Sequence, residues 1–360
     1  DGIDILVDLA GHSKGNRLGV FARRAAPVQM SWLGYPDTTG LDAVDYRITD
    51  ATADPPPAEE RHSERLLRID DCFLCYQPPS DAPPVALRES AGAMVFSSFN
   101  NIAKLNVETI GAWGEILAAV PGSRLALKAP GLDFPDTVDR LLENLERAGI
   151  DPARIDLHGW IADRPRHLGL YGQIDIALDT YPYNGTTTSC EALWMGVPVV
   201  TRAGDVHMSR VGASLLRCAG LENLIADSAA DYVKIAVALA HDAAGRNALR
   251  VQLRSKLLAS PPRDGVIASI SSIRTNDGAE RRACAKTRRM AASVSPTYRF
   301  SNSGPWITRS GVFSLTASHL AHSVFPFPGG PCRMTPRGTR ASAWCTSCGV
   351  FAFSRRFTGK

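Results

Sequence analysis

The sequence predicts an α/β protein built on parallel β-sheets, and three observations support this prediction. Short apolar stretches alternate with amphipathic stretches of helical period along residues 1–265, which is typical of parallel strands covered by helices on both faces. The hydrophobic fraction of 44% and the charged fraction of 21% are enough for a sizeable core and exclude a wholly disordered chain. The 360 residues exceed one typical domain, so we expect two lobes. No run of about 18 apolar residues occurs, so no transmembrane helix is expected.

The elements are predicted from the period of the apolar residues. Strands are expected where short runs are rich in apolar and β-branched residues, at 3–9, 28–33, 46–49, 94–99, 124–128, 154–158, 174–178 and 198–201. Helices are expected where apolar residues recur at intervals of three and four, at 107–120, 136–148, 164–171, 187–195, 209–219 and 229–258, the last with a break near Gly245.

A proline-rich segment divides the predicted lobes. Residues 77–84 read Gln-Pro-Pro-Ser-Asp-Ala-Pro-Pro, which neither a helix nor a central strand accommodates. We therefore expect one lobe with its linker at 1–80 and a second, complete lobe at 91–265. The chain begins at Asp1, without methionine and within a strand pattern, so the first lobe is expected to be truncated at its amino end.

Residues 266–360 differ in composition from the rest of the chain. They hold 14 lysine and arginine residues and two acidic ones, whereas residues 1–265 hold 26 basic and 34 acidic residues. Such asymmetry can indicate a nucleic-acid-binding arm, but cysteine, tryptophan, proline and serine are interleaved here without any period. We expect a basic tail rich in cysteine, proline and serine that is disordered or read in a shifted frame and has no function.

Two C-x-x-C pairs raise the possibility of a zinc site. Cys345 and Cys348 lie in the basic tail, and Cys72 and Cys75 lie in an apolar, strand-like run without a helix start. Free thiols are the favoured interpretation of the second pair, and a reducing cytoplasm is the expected compartment.

Hydroxyl side chains follow a strand end in the second lobe. Asp179 comes directly after a strand, and a turn through Gly185 leads into Thr186, Thr187 and Thr188 at a predicted helix start. Ligands of open parallel sheets bind beside the carboxyl ends of strands, and helix N-termini attract anions, so this pattern indicates a phosphate site.

The alternative is an ordinary capping box formed by Thr188 and Glu191. A capping box does not explain three successive threonines, which are poor helix formers.

Two further residues of the second lobe are candidates for ligand binding. Lys104 follows the strand at 94–99, so its charge is expected at the same sheet edge, where it would neutralise a phosphate; an exposed surface lysine is the alternative. His167 begins a predicted helix, where a capping or surface histidine is the plainer interpretation. The H-E-x-x-H, G-x-G-x-x-G and P-loop motifs are missing, which counts against a zinc hydrolase, a typical dinucleotide site and a P-loop.

Together these motifs resemble the catalytic region of the O-GlcNAc transferase family, which includes bacterial members and the plant SPINDLY proteins. The resemblance covers residues 1 to about 260 in order. It is carried by the stretches 8–17, 21–36, 45–50, 96–104, 167–168, 178–188, 192–198 and 209–214.

The resemblance implies a GT-B architecture of two Rossmann-like lobes and an inverting, metal-independent glycosyltransferase that needs no cofactor. It implies transfer of N-acetylglucosamine from UDP-GlcNAc to Ser/Thr hydroxyls of acceptor proteins in the cytoplasm, with neither nucleic acid nor membrane as a partner. Lys104 then contacts the donor diphosphate as the catalytic group. The donor-binding residues implied are Asn101 near the phosphates, Thr186, Thr187 and Thr188 at the helix start, His167 over the base, Glu191 on the ribose, and Leu33 and Gly34 in the sugar pocket.

Some residues depart from the family pattern. Many members have aspartate in place of Glu191, and Asp37 stands where glycine is usual, so we expect backbone strain at Asp37 if a positive φ is needed there. The family's base and sugar-contacting His and Asp are expected upstream of Asp1, as are the tetratricopeptide repeats. We therefore expect this chain to bind donor without turnover. A related transferase that uses GDP-fucose or UDP-glucose, and a non-catalytic nucleotide-binding remnant, remain as alternatives.

Overall fold

The computed structural model describes residues 3–70, 72–76, 78–88 and 92–259, together with three strands at 335–336, 342–345 and 350–354. The chain divides into two compact units. Unit 1 comprises Asp1–Gln77 with Asp264–Lys360, and unit 2 comprises Pro78–Arg263. Each unit contains one β-sheet of its own.

Four parallel strands form the main part of the sheet in unit 1, in the order of the chain. They are β1 (Ile3–Asp8), β2 (Val28–Ser31), β3 (Tyr46–Asp50) and β4 (Arg65–Ile69). A four-residue helix, α1 (Leu18–Phe21), lies between β1 and β2. Leu6, Phe21, Ala26 and Val44 form a buried apolar cluster that packs α1 onto the sheet. The sequence did not predict β4, because its Arg-Leu-Leu-Arg-Ile pattern lacks a continuous apolar run.

The basic tail contributes three strands to unit 1, and the sequence did not predict these strands. These strands are β11 (Thr335–Pro336), β12 (Ser342–Cys345) and β13 (Val350–Ser354), and β13 pairs antiparallel with β1. These strands differ from the expectation of a disordered tail, whereas the alternative of a shifted frame stays a prediction; the rest of the tail lies outside the described residues. A physical reason is that Val-Phe-Ala-Phe has high β-propensity and that the outer edge of β1 offers unpaired backbone groups.

Unit 2 contains a six-stranded, all-parallel sheet in the order β10-β9-β8-β5-β6-β7. Its strands are β5 (Val95–Ser98), β6 (Arg124–Lys128), β7 (Ile155–His158), β8 (Ile176–Leu178), β9 (Val199–Arg202) and β10 (Ile225–Ala226). The strand order reverses next to β5, where β8 and β6 lie on opposite sides of it. Crevices at such reversal points, beside the carboxyl ends of the strands, are where open α/β sheets bind ligands.

Helices connect the strands of unit 2. They are α2 (Val107–Ala119), α3 (Pro135–Arg147), α4 (Arg164–Gly169), α5 (Thr187–Trp194), α6 (Val211–Cys218), α7 (Ala229–His241) and α8 (Ala243–Ala259). The fully buried Trp113 of α2 donates its indole N–H to the Tyr232 hydroxyl of α7 at 3.2 Å. This bond joins two helices at the centre of the core.

The break in the last predicted helix falls at Asp242 rather than near Gly245. Asp242 lies between α7 and α8, and its carboxylate accepts a hydrogen bond from the backbone N–H of Gly245 at 2.8 Å. An aspartate that caps the next helix is a stronger boundary than a single glycine inside the first turn.

The proline-rich segment runs along α8. Its described residues, 78–88, form neither a helix nor a strand. Arg254 donates a hydrogen bond to the Pro83 carbonyl, and the buried Arg250 donates to the carbonyls of Ala86 and Ile174. Hydrogen bonds from these two arginines of α8 to backbone carbonyls therefore hold residues 83–86 against the helix.

The four cysteines whose side chains the structure describes form no disulfide, which agrees with the thiols predicted for Cys72 and Cys75. Cys72 and Cys190 are buried, and Cys75 and Cys218 are half-buried. Cys348 lies outside the described residues.

Candidate functional site

A buried carboxylate organises the carboxyl end of β8. Asp179 is 3% exposed, and its oxygens accept hydrogen bonds from the backbone N–H of Thr180 at 2.9 Å, from that of Gly185 at 2.6 Å and from the Thr201 hydroxyl at 2.8 Å. Burial raises the pKa of Asp179 to about 6, although these hydrogen bonds oppose the shift. The bonds fix both ends of the loop from Thr180 to Gly185 onto the sheet.

Lys104 lies against this loop, at the sheet edge where the sequence placed it. It ends a short 3₁₀ helix after β5, and its ammonium donates a hydrogen bond to the Asn184 carbonyl at 2.7 Å. The ammonium also lies 3.9 Å from the centre of the Tyr183 ring. Burial lowers the pKa of Lys104 to about 8, and the charge of Asp179 opposes that shift. A cation that is partly removed from water here favours a bound anion.

The three threonines begin α5. Thr186 is its N-cap but makes no capping bond with its side chain, Thr187 is buried in the first turn, and the Thr188 hydroxyl donates to Asn100 Oδ1 at 3.0 Å. The backbone N–H groups of a first helical turn have no acceptor within the helix. The capping-box alternative is wrong, because Thr188 lies inside the helix and Glu191 pairs with another residue.

That other residue is His167. Its Nε2 lies 3.0 Å from a carboxylate oxygen of Glu191, which places α4 and α5 side by side at this edge. The His167 ring lies 5.9 Å from the Tyr171 ring and 6.2 Å from the Phe99 ring, measured between centres. His167 Nδ1 is buried, and no described residue forms a hydrogen bond with it. The pair therefore places a carboxylate and an imidazole beside the rings of Phe99 and Tyr171.

Asn101 and its neighbour Asn100 have different surroundings. Asn101 is exposed and uses its side chain to cap the 3₁₀ helix by accepting from Ala103 N–H at 2.9 Å. Asn100 is buried and lies between Thr188 and Asp179, with its amide nitrogen 3.5 Å from the Asp179 carboxylate. Sequence reasoning named Asn101 and missed Asn100, since adjacent asparagines after a strand give no sign of which one faces inward.

Leu33 and Gly34 belong to unit 1, in the loop after β2. Leu33 has φ of 68°, which is rare for a leucine. A Cβ at Gly34 would overlap the Leu9 carbonyl oxygen, so this position requires glycine. The strain expected at Asp37 is absent: among the described non-glycine residues, only Leu33 and Arg24 have positive φ. The tight turn is completed at Leu33, so Asp37 needs no left-handed backbone.

Comparison with known proteins identifies the family of this fold and site. The model of glycosyl transferase family 41 matches residues 1–77 and 86–264. The chain belongs to glycosyl transferase family 41.

Members of this family from plants and bacteria are similar to the chain over most of its length. SPINDLY of Solanum lycopersicum and SPINDLY of Arabidopsis thaliana, each described as a probable UDP-N-acetylglucosamine–peptide N-acetylglucosaminyltransferase, are 48% and 47% identical to it over 74% of the chain. The chain spans 29% of the length of each of these relatives.

A solved structure supports the same assignment. The O-GlcNAc transferase of Thermobaculum terrenum, solved as a mutant, is 40% identical with a TM-score of 0.72 over 80% of this chain and 54% of that one. The family-41 chain therefore has a GT-B-like α/β fold with Rossmann-like parallel sheets. None of its described helices is long and apolar enough to cross a membrane.

Replacement of Thr188 tests whether the hydrogen bond from its hydroxyl to Asn100 stabilises the packing of α5 against the loop after β5. We expect Thr188→Val to lower the free energy of unfolding by about 0.5–1.5 kcal/mol, because the bond to Asn100 is lost. Urea unfolding followed by circular dichroism measures this change. Thr188→Ser keeps the hydroxyl and is the control; equal losses in the two variants would contradict this role of the hydrogen bond.

Proposed function

We propose that this chain binds the nucleotide-sugar donor in a glycosyltransferase that moves N-acetylglucosamine from UDP-GlcNAc to Ser/Thr hydroxyls of proteins. The proposal rests first on one observation: a partly buried lysine and an uncapped helix N-terminus flank the loop that Asp179 fixes. A lysine ammonium and free backbone N–H groups are the donors that suit a diphosphate.

The pair of His167 and Glu191 supports a nucleoside next to this diphosphate. A carboxylate can accept hydrogen bonds from two hydroxyl groups, so Glu191 suits the 2′ and 3′ hydroxyls of a ribose. His167 lies 3.0 Å from it, on the aromatic residues that would support a base. Glu191 stands where the family pattern implies an aspartate, and the bond to His167 holds this side chain, one methylene longer, in place.

In the proposed reaction the acceptor hydroxyl oxygen forms a bond to the anomeric carbon of the sugar while the bond from that carbon to the diphosphate breaks. UDP leaves, and the hydroxyl proton passes to a base or to water. As the bond to the sugar breaks, negative charge grows on the phosphate oxygens, and Lys104 with the first turn of α5 would stabilise it. These protein groups take the part that a metal ion plays elsewhere, so we propose an inverting, metal-independent reaction. The similarity to SPINDLY and O-GlcNAc transferase supports a protein acceptor. We propose the cytoplasm as the site of action, because Cys72 and Cys190 are buried thiols rather than members of a disulfide.

Titration of the full chain with UDP and with GDP tests the proposal. We expect UDP to bind more tightly than GDP, because the relatives named above are described as UDP-N-acetylglucosamine transferases; isothermal calorimetry measures both affinities. Glu191→Gln removes the negative charge of the group that accepts hydrogen bonds from the ribose hydroxyls. The affinity for UDP should therefore fall by about tenfold, which corresponds to 1.4 kcal/mol.

The matched control for that variant is Glu115→Gln, which changes an exposed glutamate of α2. Tighter binding of GDP would move the donor to GDP-fucose, and failure to bind either nucleotide would contradict donor binding by this chain. Transfer of labelled N-acetylglucosamine to a protein acceptor would then test the reaction itself.

A further inference from the structure

Lys128, at the end of β6, has a side chain that is almost entirely buried, and the proposed donor site has not yet used it. It is 5% exposed, and it pairs in register with His158 of β7. Among the described residues, none offers its ammonium a hydrogen-bond acceptor or a carboxylate within ion-pair distance. The ammonium instead lies 5.3 Å from the centre of the Trp160 ring.

A lysine in these surroundings destabilises the free protein. Burial lowers the pKa of Lys128, and the charge of Glu191 opposes that shift only in part. A methionine of similar length would fill the same space without the cost of removing a charge from water. The position therefore favours an oxygen acceptor that arrives with a ligand.

The location of Lys128 indicates which part of a ligand would supply this oxygen acceptor. β6 ends beside β5, at the same sheet edge as the pair of His167 and Glu191. Trp160, which is 46% exposed, follows β7, and its backbone N–H donates to Asp133 at 3.1 Å, so the loop that carries the indole is fixed. Lys128 thus lies on the nucleoside side of the site, whereas Lys104 lies on the phosphate side.

The chemistry of an ammonium restricts its partner on a nucleoside. Lysine has three donors and no acceptor. It can donate to the exocyclic carbonyl oxygen O4 of uracil or O6 of guanine, but cytosine and adenine carry at that position an amino group, which only donates. If such an amino group faced the Lys128 ammonium, neither the amino group nor the ammonium would have a hydrogen-bond acceptor there.

We propose that Lys128 is a specificity residue that donates a hydrogen bond to the carbonyl oxygen O4 of uracil, or O6 of guanine, and thereby rejects bases with an amino group at that position. The proposal rests on the proposed function, since it takes the nucleoside to lie against His167 and Glu191. A contact of Lys128 with the ribose or a phosphate would strengthen the binding of every nucleotide equally, whereas the proposed contact with the base makes the affinity depend on the base.

The test compares UDP with CDP, which differ at the ring position in question. The dissociation constants of both are measured by calorimetry for the full chain and for Lys128→Met. We expect the wild type to prefer UDP by about ten- to a hundredfold and the variant to bring the ratio near one. Lys234→Met, on the exposed side of α7, is the control and should leave the ratio unchanged.

Thermal unfolding separates this role from a structural one. Lys128→Met should unfold at the same temperature as the wild type or a higher one, because a buried charge is removed. An unchanged ratio of UDP to CDP affinity in a folded Lys128→Met variant would overturn the proposal while leaving donor binding intact. Failure of the wild type to bind either nucleotide would overturn both.

Discussion

Replacing Lys104 with alanine is expected to weaken the binding of UDP by about ten- to a hundredfold. A hydrogen bond from an ammonium to a phosphate contributes about 1.5–3 kcal/mol, and 1.4 kcal/mol corresponds to a decade in affinity. The only hydrogen bond of this ammonium within the described residues goes to the Asn184 carbonyl, so the charge is available to a ligand. Isothermal calorimetry with the full chain measures the change.

The same site predicts how affinity depends on pH. Lys104 loses its proton above a pKa of about 8, whereas the last ionisation of a phosphate lies near pH 6. The affinity for UDP should therefore fall by roughly tenfold between pH 7.5 and 9.5 in the wild type. In Lys104→Ala it should stay flat over that range, and Lys234→Ala should behave like the wild type. Equal affinity of the wild type and Lys104→Ala at pH 7.5 would remove Lys104 from the site.

Replacing Asp179 with alanine is expected to lower the free energy of unfolding by about 2–4 kcal/mol. The backbone N–H groups of Thr180 and Gly185 and the Thr201 hydroxyl would lose their acceptor inside the protein, and each unpaired buried donor costs about 1–3 kcal/mol. Removing a buried charge offsets part of this cost. Chemical denaturation at pH 7.5 measures the difference.

Asp179→Asn separates the hydrogen bonds from the charge. The pKa of Asp179 is raised in the folded protein from 3.8 to about 6, so between these values the folded state binds the proton more tightly than the unfolded state. This contribution to stability is therefore present at low pH and is lost as pH rises from about 4 to about 6, by on the order of 3 kcal/mol. Asp179→Asn should lack this loss. An identical pH dependence in the wild type and Asp179→Asn would show that another group is responsible.

The elements of the fold could be predicted where a local pattern sets them. The pattern of apolar residues located β5, β6 and β8 to within two residues, because these strands are buried on both faces and each contains adjacent apolar residues. Among the tail strands, β13 could not be predicted from a local pattern, because it pairs with an edge of β1 that lies more than 300 residues earlier in the chain. A local pattern carries no information on such a partner.

The candidate site shows the same division. The threonines and Lys104 were found because strand ends and helix starts have a recognisable sequence pattern. The bond between His167 and Glu191 and the bonds to Asp179 depend on how separate elements pack, so only the structure shows them. Lys128 was missed because a lysine that ends a strand has the same sequence pattern whether its ammonium is buried or exposed.

The burial of the Lys104 ammonium also links ligand binding to proton uptake. A bound diphosphate supplies the negative charge that Lys104 lacks, so its affinity for a proton rises when the ligand arrives. Near pH 8, part of the lysine population is neutral before binding and charged after it, and the protons taken up come from the buffer. The heat released on mixing then contains the ionisation enthalpy of that buffer. Titrations in phosphate and in Tris would give different apparent enthalpies for the same contacts, and only the difference between them reports the lysine.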